Sequence, residues 1–558
     1  MSMKSSFMHI NPATLGSSLR GWASAAEKKP YLPILAALVA VMSLFALQIQ
    51  RGSVFYEGWV QDIFIHLNAL LHIQEGSLPH TGFSTPIGSF YFLAFYIATY
   101  FGPPSAYTAV YANGIVAALA MMLAFLGGYR RIHPGWTSLL ALYVGILAIA
   151  PRQLGQTFIT FNASYNRWSW AFVAVLSLVV SIPRLDADRT RAALVDGVLT
   201  GVILALLFFT KATYAVVGLG LVVASAFTVR RTSRPFVYGI AALTTLFILA
   251  ASVQISLGIV FPYLDELLQA ARVPGVGRVQ QFMIIAYVTG PEVILIFMIA
   301  EASTIASQSK LYLSRALYLV ALALAGVALS TQNHLALEVP LFPATALVAF
   351  ILFADRVPIF KAPTWLPAAA TTAVLLLFLR PIAADTASIV EEGFAPAAGG
   401  ADVDWLNATP VRDLAFRPAK NKVIETGNCL ADSPDVVHDR EFVAVWGDGV
   451  RLLNKHGARG SKVLSLSWTN PFPVLTGSPP VRHDLSWWDP DRTFSSTIHP
   501  RAETLFREVD YVLIPKYGIA HGPTTQMMLS VYGAEIERRY KLLEESGCWR
   551  LMGPVKRS

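Results

Sequence analysis

Cysteine is nearly absent from this chain: two residues in 558, Cys429 and Cys548, both in the C-terminal part. Two thiols exclude a Cys-rich metal site. They leave open one disulfide, if that region faces an oxidising compartment, or two unpaired thiols. Charge is also scarce. Only 14% of the residues are Asp, Glu, Lys or Arg while 54% are apolar, against about a quarter charged in soluble proteins, which excludes a purely soluble globular chain. No GxxxxGK[ST] phosphate loop, HExxH zinc motif or GxSxG serine elbow stands out, so nucleotide hydrolysis and zinc proteolysis are unsupported.

What charge there is lies unevenly. Residues 1–380 hold 23 Lys+Arg and 13 Asp+Glu, and residues 381–558 hold 20 and 22, so the two parts are roughly 9% and roughly 24% charged. The first reads as membrane and the second as water-soluble. The net +8 is therefore +10 on the membrane part and −2 on the tail, an excess that belongs to topology and leaves no case for a nucleic-acid partner. A bilayer core of about 30 Å asks for about 20 apolar helical residues. Such runs lie near 31–49, 106–128, 136–151, 168–183, 193–210, 212–229, 236–256, 282–300, 314–330, 340–354 and 365–380. The stretch Pro86–Phe101 is apolar but, at about 1.5 Å per residue, reaches only about 24 Å. If it does not span, 16 of the 23 basic residues before residue 381 fall on the N-terminal side; if it spans, 10 do. The positive-inside rule thus favours eleven spans, a cytoplasmic tail over 1–30 and an extracytoplasmic C-terminal part. No cleavage site follows the first apolar run, which is expected to stay as an anchor.

The outer loops carry the chemistry. In 50–85, Trp59–Ile73 shows helical spacing and is expected to lie on the membrane surface. Asp62 and His66, four apart, share one face of it. They are either a general base with a neighbouring imidazole or an ion-paired, solvated face. His80 follows in the same loop. The next outer segment holds Tyr165, Asn166 and Arg167, suited to a sugar or a phosphate, or else to an interfacial aromatic belt with a snorkelling arginine. Lys211 ends GVLTGVILALLFFTK at the outer side, directly before another span, where a cation pairs with a protein carboxylate or a lipid phosphate. Arg272 and Arg278 flank a Pro-Gly break in a loop that reads as a lid, and Gln332 and His334 sit in the last outer loop. The DxD-like Asp186-Ala187-Asp188 is surrounded by arginines in a short cytoplasmic loop, and reads as a salt-bridged turn.

The order of these parts resembles the GT-C superfamily of membrane glycosyltransferases that use polyprenyl-phosphate sugars, and is similar to its aminoarabinose-transferase and protein O-mannosyltransferase type. The resemblance is carried by Gln61-Asp62 opening a juxtamembrane helix, the short run 86–101 as a second one, GVLTGVILALLFFTK as the family's "G…GL..LTK" span, and His334…Pro340…Pro343 as its "H…P..P" span entrance. It implies a sugar transfer with inversion, Asp62 as general base, and Lys211, with Arg167, Arg272 or Arg278, holding the lipid phosphate. His66, His80, Tyr165, Asn166, Gln332 and His334 would hold sugar or acceptor, a lipid, glycan or protein. Many relatives carry an acidic pair where this chain has Asp62-Ile63, so no metal and no cofactor is expected, and a monosaccharide donor is.

The fold class expected is an α-helical polytopic membrane protein of about 11 spans, GT-C-like, with a C-terminal soluble α/β domain. The membrane domain is 31–380, with its first outer loop at 50–105; an Ala/Gly/Pro-rich linker covers 381–401 and the outer domain 402–558. In the latter, Lys462–Ser467 and Asp510–Pro515 read as buried strands and Tyr540–Leu551 as a final strand-like pair. With that topology the tail is periplasmic or extracellular, the membrane a bacterial inner membrane, and a Cys429–Cys548 disulfide is favoured. A transporter or flippase, or a non-catalytic scaffold or receptor, is the alternative; a transporter should show related halves and midplane charges, and neither stands out.

Overall fold

The structure, a computed structural model, describes residues 31–555 apart from 157, 186–187, 230–233, 274–277, 308–312, 333–336, 354–364, 396–397, 400–408, 417–438 and 517–521. In hydrocarbon every backbone N–H and C=O has to be satisfied within its own segment, so apolar runs fold as helices. They form α1 (Tyr31–Arg51) and, after the loop elements β1 (Val54–Tyr56), α2 (Ile63–Gln74) and α3 (Ser89–Ala98), the bundle α4 (Thr108–Gly128), α5 (Pro134–Ile149), α6 (Ser164–Ser181), α7 (Arg189–Thr210), α8 (Ala212–Thr228), α9 (Pro235–Leu257), α10 (Val260–Arg272), α11 (Arg278–Val288), α12 (Gly290–Ser307), α13 (Leu313–Ser330), α14 (Phe342–Phe353) and α15 (Trp365–Phe394). Six of these, α1, α4, α7, α9, α13 and α15, are long and apolar enough to cross a membrane, and the α11–α12 pair, bent by 57°, makes a seventh if counted as one span. The bundle turns Phe227, Phe236, Phe247 and Ile255 outward, a surface suited to lipid, and the chain is an integral membrane protein.

Several elements differ from the sequence expectation, each for a local reason. The run at 282–300 is two helices, because Pro291 lacks the N–H that would continue the ladder across the joint. The supposed linker from 381 continues α15 to Phe394, and Asp385, Ser388, Ile389 and Glu392 form one buried face of it at helical spacing. An Ala-rich composition had concealed that face. α2 does not lie on the membrane surface: Ile63–Leu67, Ala69, Leu70 and His72 are all buried. It is sandwiched between α3 and the C-terminal part, where Trp446 meets Phe64 edge-on with centroids 4.9 Å apart. The two glycines of GVLTG serve packing, since a Cβ on Gly197 or Gly201 would fall onto the Tyr238 or Ala242 carbonyl of α9. Asp188 accepts from the Thr190 and Arg191 amides and caps α7; Asp186 and Ala187 lie outside the described residues.

The C-terminal part adds β2 (Ala398–Gly399), β3 (Leu414–Phe416), α16 (Asp439–Lys455), β4 (Val463–Ser465), α17 (Phe472–Thr476), α18 (Ala502–Leu505), β5 (Tyr511–Pro515), α19 (Gly522–Arg539), β6 (Tyr540–Glu545) and β7 (Trp549–Pro554). One sheet runs β4-β5-β7-β6, with β4 and β5 parallel and the other pairs antiparallel. A second, ordered β1-β3-β2, includes β1 from the first outer loop, parallel to β3. Cys548 is disulfide-bonded; the chain's other cysteine, Cys429, lies outside the described residues.

Candidate active site

Where α2, α6, the α7–α8 joint and α10 meet the C-terminal part there is a cavity of about 380 Å³, within the size range of small-molecule sites. Seven residues expected from sequence line it: Asp62, His66, Tyr165, Asn166, Arg167, Lys211 and Gln332. Two do not. His80 is buried elsewhere, its Nδ1 2.5 Å from Glu266 and its ring against Tyr263, so it ties the first outer loop to α10. Arg272 ends α10 with its side chain exposed and not among the lining residues, although its neighbours Ala271 and Val273 are. His334 and the side chain of Arg278 lie outside the described residues.

Each wall is held in an unusual way. Trp59 has φ +63° and Ala163 φ +54°, a left-handed conformation uncommon for such residues and concentrated where a site dictates the backbone. The two are linked, since Asn162 Nδ2 donates to the Trp59 carbonyl. Trp59 leads into the 3₁₀ turn Val60–Asp62, which delivers the Asp62 carboxylate. On the opposite side, Lys211 sits in extended backbone between α7 and α8. Its ammonium donates to Asn166 Oδ1 at 2.9 Å and lies 5.2 and 5.7 Å from the rings of Tyr165 and Tyr214. Aromatic faces and an amide oxygen hold a cation in place while carrying no charge of their own.

Arg167 has a different occupation. Its guanidinium donates to the Leu147 and Arg152 carbonyls and pairs with Asp385 at 2.6 Å. Arg152 pairs with the same Asp385 at 2.6 Å and with Glu338 at 3.0 Å. Two buried arginines and two acids form a closed set, so Arg167 borders the cavity while its charge is committed to structure. His66 is buried and stacked on Phe95 at 4.2 Å; burial lowers its pKa to about 3, which keeps the imidazole neutral. Its Nε2, with Asn162 Oδ1 and Thr213 Oγ1, is a buried polar atom of a lining residue with no hydrogen-bond partner among the described residues. Such atoms call for a ligand or solvent.

Sequence reasoning missed the roof of the site. Trp468, Trp487, Asp489, Asp491, Arg492 and Thr493 of the C-terminal part line the same cavity. Trp468 Nε1 donates to Asp62 Oδ1 at 2.8 Å. Burial lifts the Asp489 carboxyl to about 6, and the nearby Arg492 opposes that rise. The dense run Trp487-Trp488-Asp489-Pro490-Asp491-Arg492 is the signal that could have found it, because aromatic and charged side chains packed into a loop suit binding better than folding.

Fold and site together define an integral membrane protein whose C-terminal part closes over a cavity at the ends of its helices, lined by both apolar and charged side chains. No known family and no curated protein matches the chain. Among solved structures it is similar to ArnT from Cupriavidus metallidurans bound to undecaprenyl phosphate, at 11% identity and TM-score 0.46, over 94% of this chain and 98% of that one. It is also similar to the arabinofuranosyltransferase AftD from Mycobacteria, at 14% identity and TM-score 0.41, over 93% of this chain and 40% of that one. A third similarity is to the oligosaccharyltransferase AglB from Archaeoglobus fulgidus in complex with an inhibitory peptide and a dolichol-phosphate, at 13% identity and TM-score 0.37, over 93% and 74%. Likeness to sugar transferases is what the sequence motifs lead one to expect; at these values it remains a likeness.

Proposed function

We propose that the chain is an integral-membrane glycosyltransferase moving a sugar from a polyprenyl-phosphate donor to a hydroxyl of a lipid, glycan or protein acceptor at the outer membrane face. The observation that carries this reading is the convergence of Asp62 and Lys211 on one cavity at the ends of apolar helices. An anionic lipid headgroup can reach a lysine there while its chain stays in the bilayer. Asp62 accepts the proton of the acceptor hydroxyl, whose oxygen bonds to the anomeric carbon from the face opposite the phosphate. The bond from that carbon to the phosphate oxygen breaks, its electron pair leaves with the lipid phosphate, and the anomeric configuration inverts. Lys211 offsets the charge that grows on the departing phosphate. The orphan polar atoms of His66, Asn162 and Thr213 suit the hydroxyls of a sugar, and Tyr165, Asn166 and Gln332 add further donors and acceptors. With Arg167 tied to Asp385, the phosphate role falls chiefly to Lys211.

No cofactor and no metal takes part in this reading, and activity is expected to survive chelation with EDTA. The excess of basic residues on the N-terminal side supports an outward-facing cavity and tail in a bacterial inner membrane, and the bonded Cys548 supports an oxidising compartment. The test is sugar transfer by the full chain in lipid vesicles supplied with a polyprenyl-phosphate monosaccharide. Asp62→Asn should lower turnover by about 10² to 10⁴-fold while binding of the polyprenyl phosphate persists. Full activity in that variant removes the general base, and lipid translocation without sugar transfer would favour a flippase.

A further inference from the structure

We propose that the C-terminal part belongs to the catalytic centre itself, with Trp468 as a positioning residue that sets the Asp62 carboxylate for proton transfer; this rests on Asp62 being the general base. Asp62 closes the 3₁₀ turn Val60–Asp62, which runs directly into α2, and its own backbone is helical (φ −69°, ψ −14°), so its side chain is not in position to cap the helix. Its carboxylate accepts from the Trp468 indole, 406 residues away.

Three consecutive residues make this contact, and they divide the work. Thr469 Oγ1 donates to the Gln61 carbonyl at 3.0 Å, and the Asn470 carbonyl accepts from Asn68 Nδ2 at 2.6 Å. These two bonds join backbone groups to side chains and suffice to dock the turn on α2. The Trp468 N–H goes to a charged group that borders the cavity. The turn itself is tightly tied: Ser467 Oγ donates to the Thr469 carbonyl at 2.6 Å, the Trp488 amide to the Trp468 carbonyl at 2.8 Å, and Thr525 Oγ1 to the Leu466 carbonyl at 2.7 Å.

The chemistry fits orientation. An indole N–H donates and cannot accept, so it neither takes nor relays the proton. It favours the ionised carboxylate, the form a base requires, and fixes the rotation of the carboxylate plane. Trp468 is 8% exposed, so water does not compete freely for the bond. The turn follows β4, at the carboxyl end of a strand with a parallel neighbour, where open α/β sheets place ligands.

The test uses the full chain in vesicles and steady-state kinetics on both substrates. Trp468→Phe keeps a ring and deletes the donor; kcat should fall about 10- to 100-fold with the donor KM unchanged, and Trp468→His, which returns a ring N–H, should recover part of the loss. In an Asp62→Asn background, Trp468→Phe should cost nothing further. If Trp468→Phe unfolds the tail, benzothienylalanine at position 468, the same ring shape with sulfur in place of N–H, replaces it. Unchanged kcat, or an equal loss in the Asp62→Asn background, overturns the positioning role and leaves the general base intact. Full turnover by Asp62→Asn alone overturns both.

Discussion

Lys211 ends one apolar helix and begins the next, its ammonium held in the cavity wall by Asn166, Tyr165 and Tyr214. Lys211→Met keeps the length of the stem and removes the charge. If it faces a leaving phosphate, kcat/KM for the donor should drop by about 10² to 10³-fold, measured with the same vesicle assay; a loss under threefold would argue against the role. Asp484, in the tail, offers a pH-dependent case. It is buried and accepts from Trp488 Nε1 at 2.9 Å, and burial raises its pKa to about 7. The folded chain therefore keeps a proton that the unfolded chain releases near pH 4, so this group's contribution is greatest in acid and falls as pH rises to about 7. Asp484→Asn abolishes that titration, and its Tm relative to wild type should climb between about pH 4 and 7. Asp62 and Lys211 stood out as candidates in the sequence because a charge at a span mouth is costly unless it is partnered or employed, and both line the cavity. Trp468 was not, since nothing near it in the chain encodes a hydrogen bond to Asp62, and Arg167 was read as a free cation because its partner Asp385 lay in a stretch read as a linker.

Elements show the same division between local and distant information. The tail strands at 463–465 and 511–515 fall inside the runs that read as strands, because buried parallel strands are short apolar runs in any context. The helical end of α15 was hidden because its apolar face is interrupted by Asp385 and Glu392, which make sense only with Arg152, Arg167 and Arg51 across from them. Asp385→Ala takes the paired carboxylate from the buried Arg167 and leaves Arg152 with Glu338, and should cost about 3 to 5 kcal/mol, seen as a lowered Tm in detergent. A second element-level test concerns α3. Gly88 caps its start and donates to the Thr210 carbonyl at 3.0 Å, and a Cβ there would fall onto the Phe209 carbonyl. Gly88→Ala should push α3 from the end of α7, displace Lys211, and cost about 1 to 3 kcal/mol together with most of the activity. Wild-type turnover and Tm would show that the joint yields more readily than its packing implies.

For the molecule as a whole, the first outer loop and the C-terminal part share a sheet, a helix contact and the cavity roof, so both must lie on one side of the membrane. Cysteines introduced as Arg451→Cys in the tail and Arg189→Cys at the start of α7 should respond oppositely to a membrane-impermeant maleimide on intact cells, the first labelled and the second protected. Labelling of Arg189→Cys alone would invert the topology. The shared sheet also constrains how the chain is made. β1 emerges early, yet its partner β3 pairs Leu414 with Val54 and leaves the ribosome about 360 residues later, a delay of roughly 20 to 70 s at about 5 to 20 residues per second. During that interval β1 has no β3 to pair with, and the carboxylate of Asp62 is without its indole. The proposed base thus gains its partner late, after more than four-fifths of the chain has been synthesised.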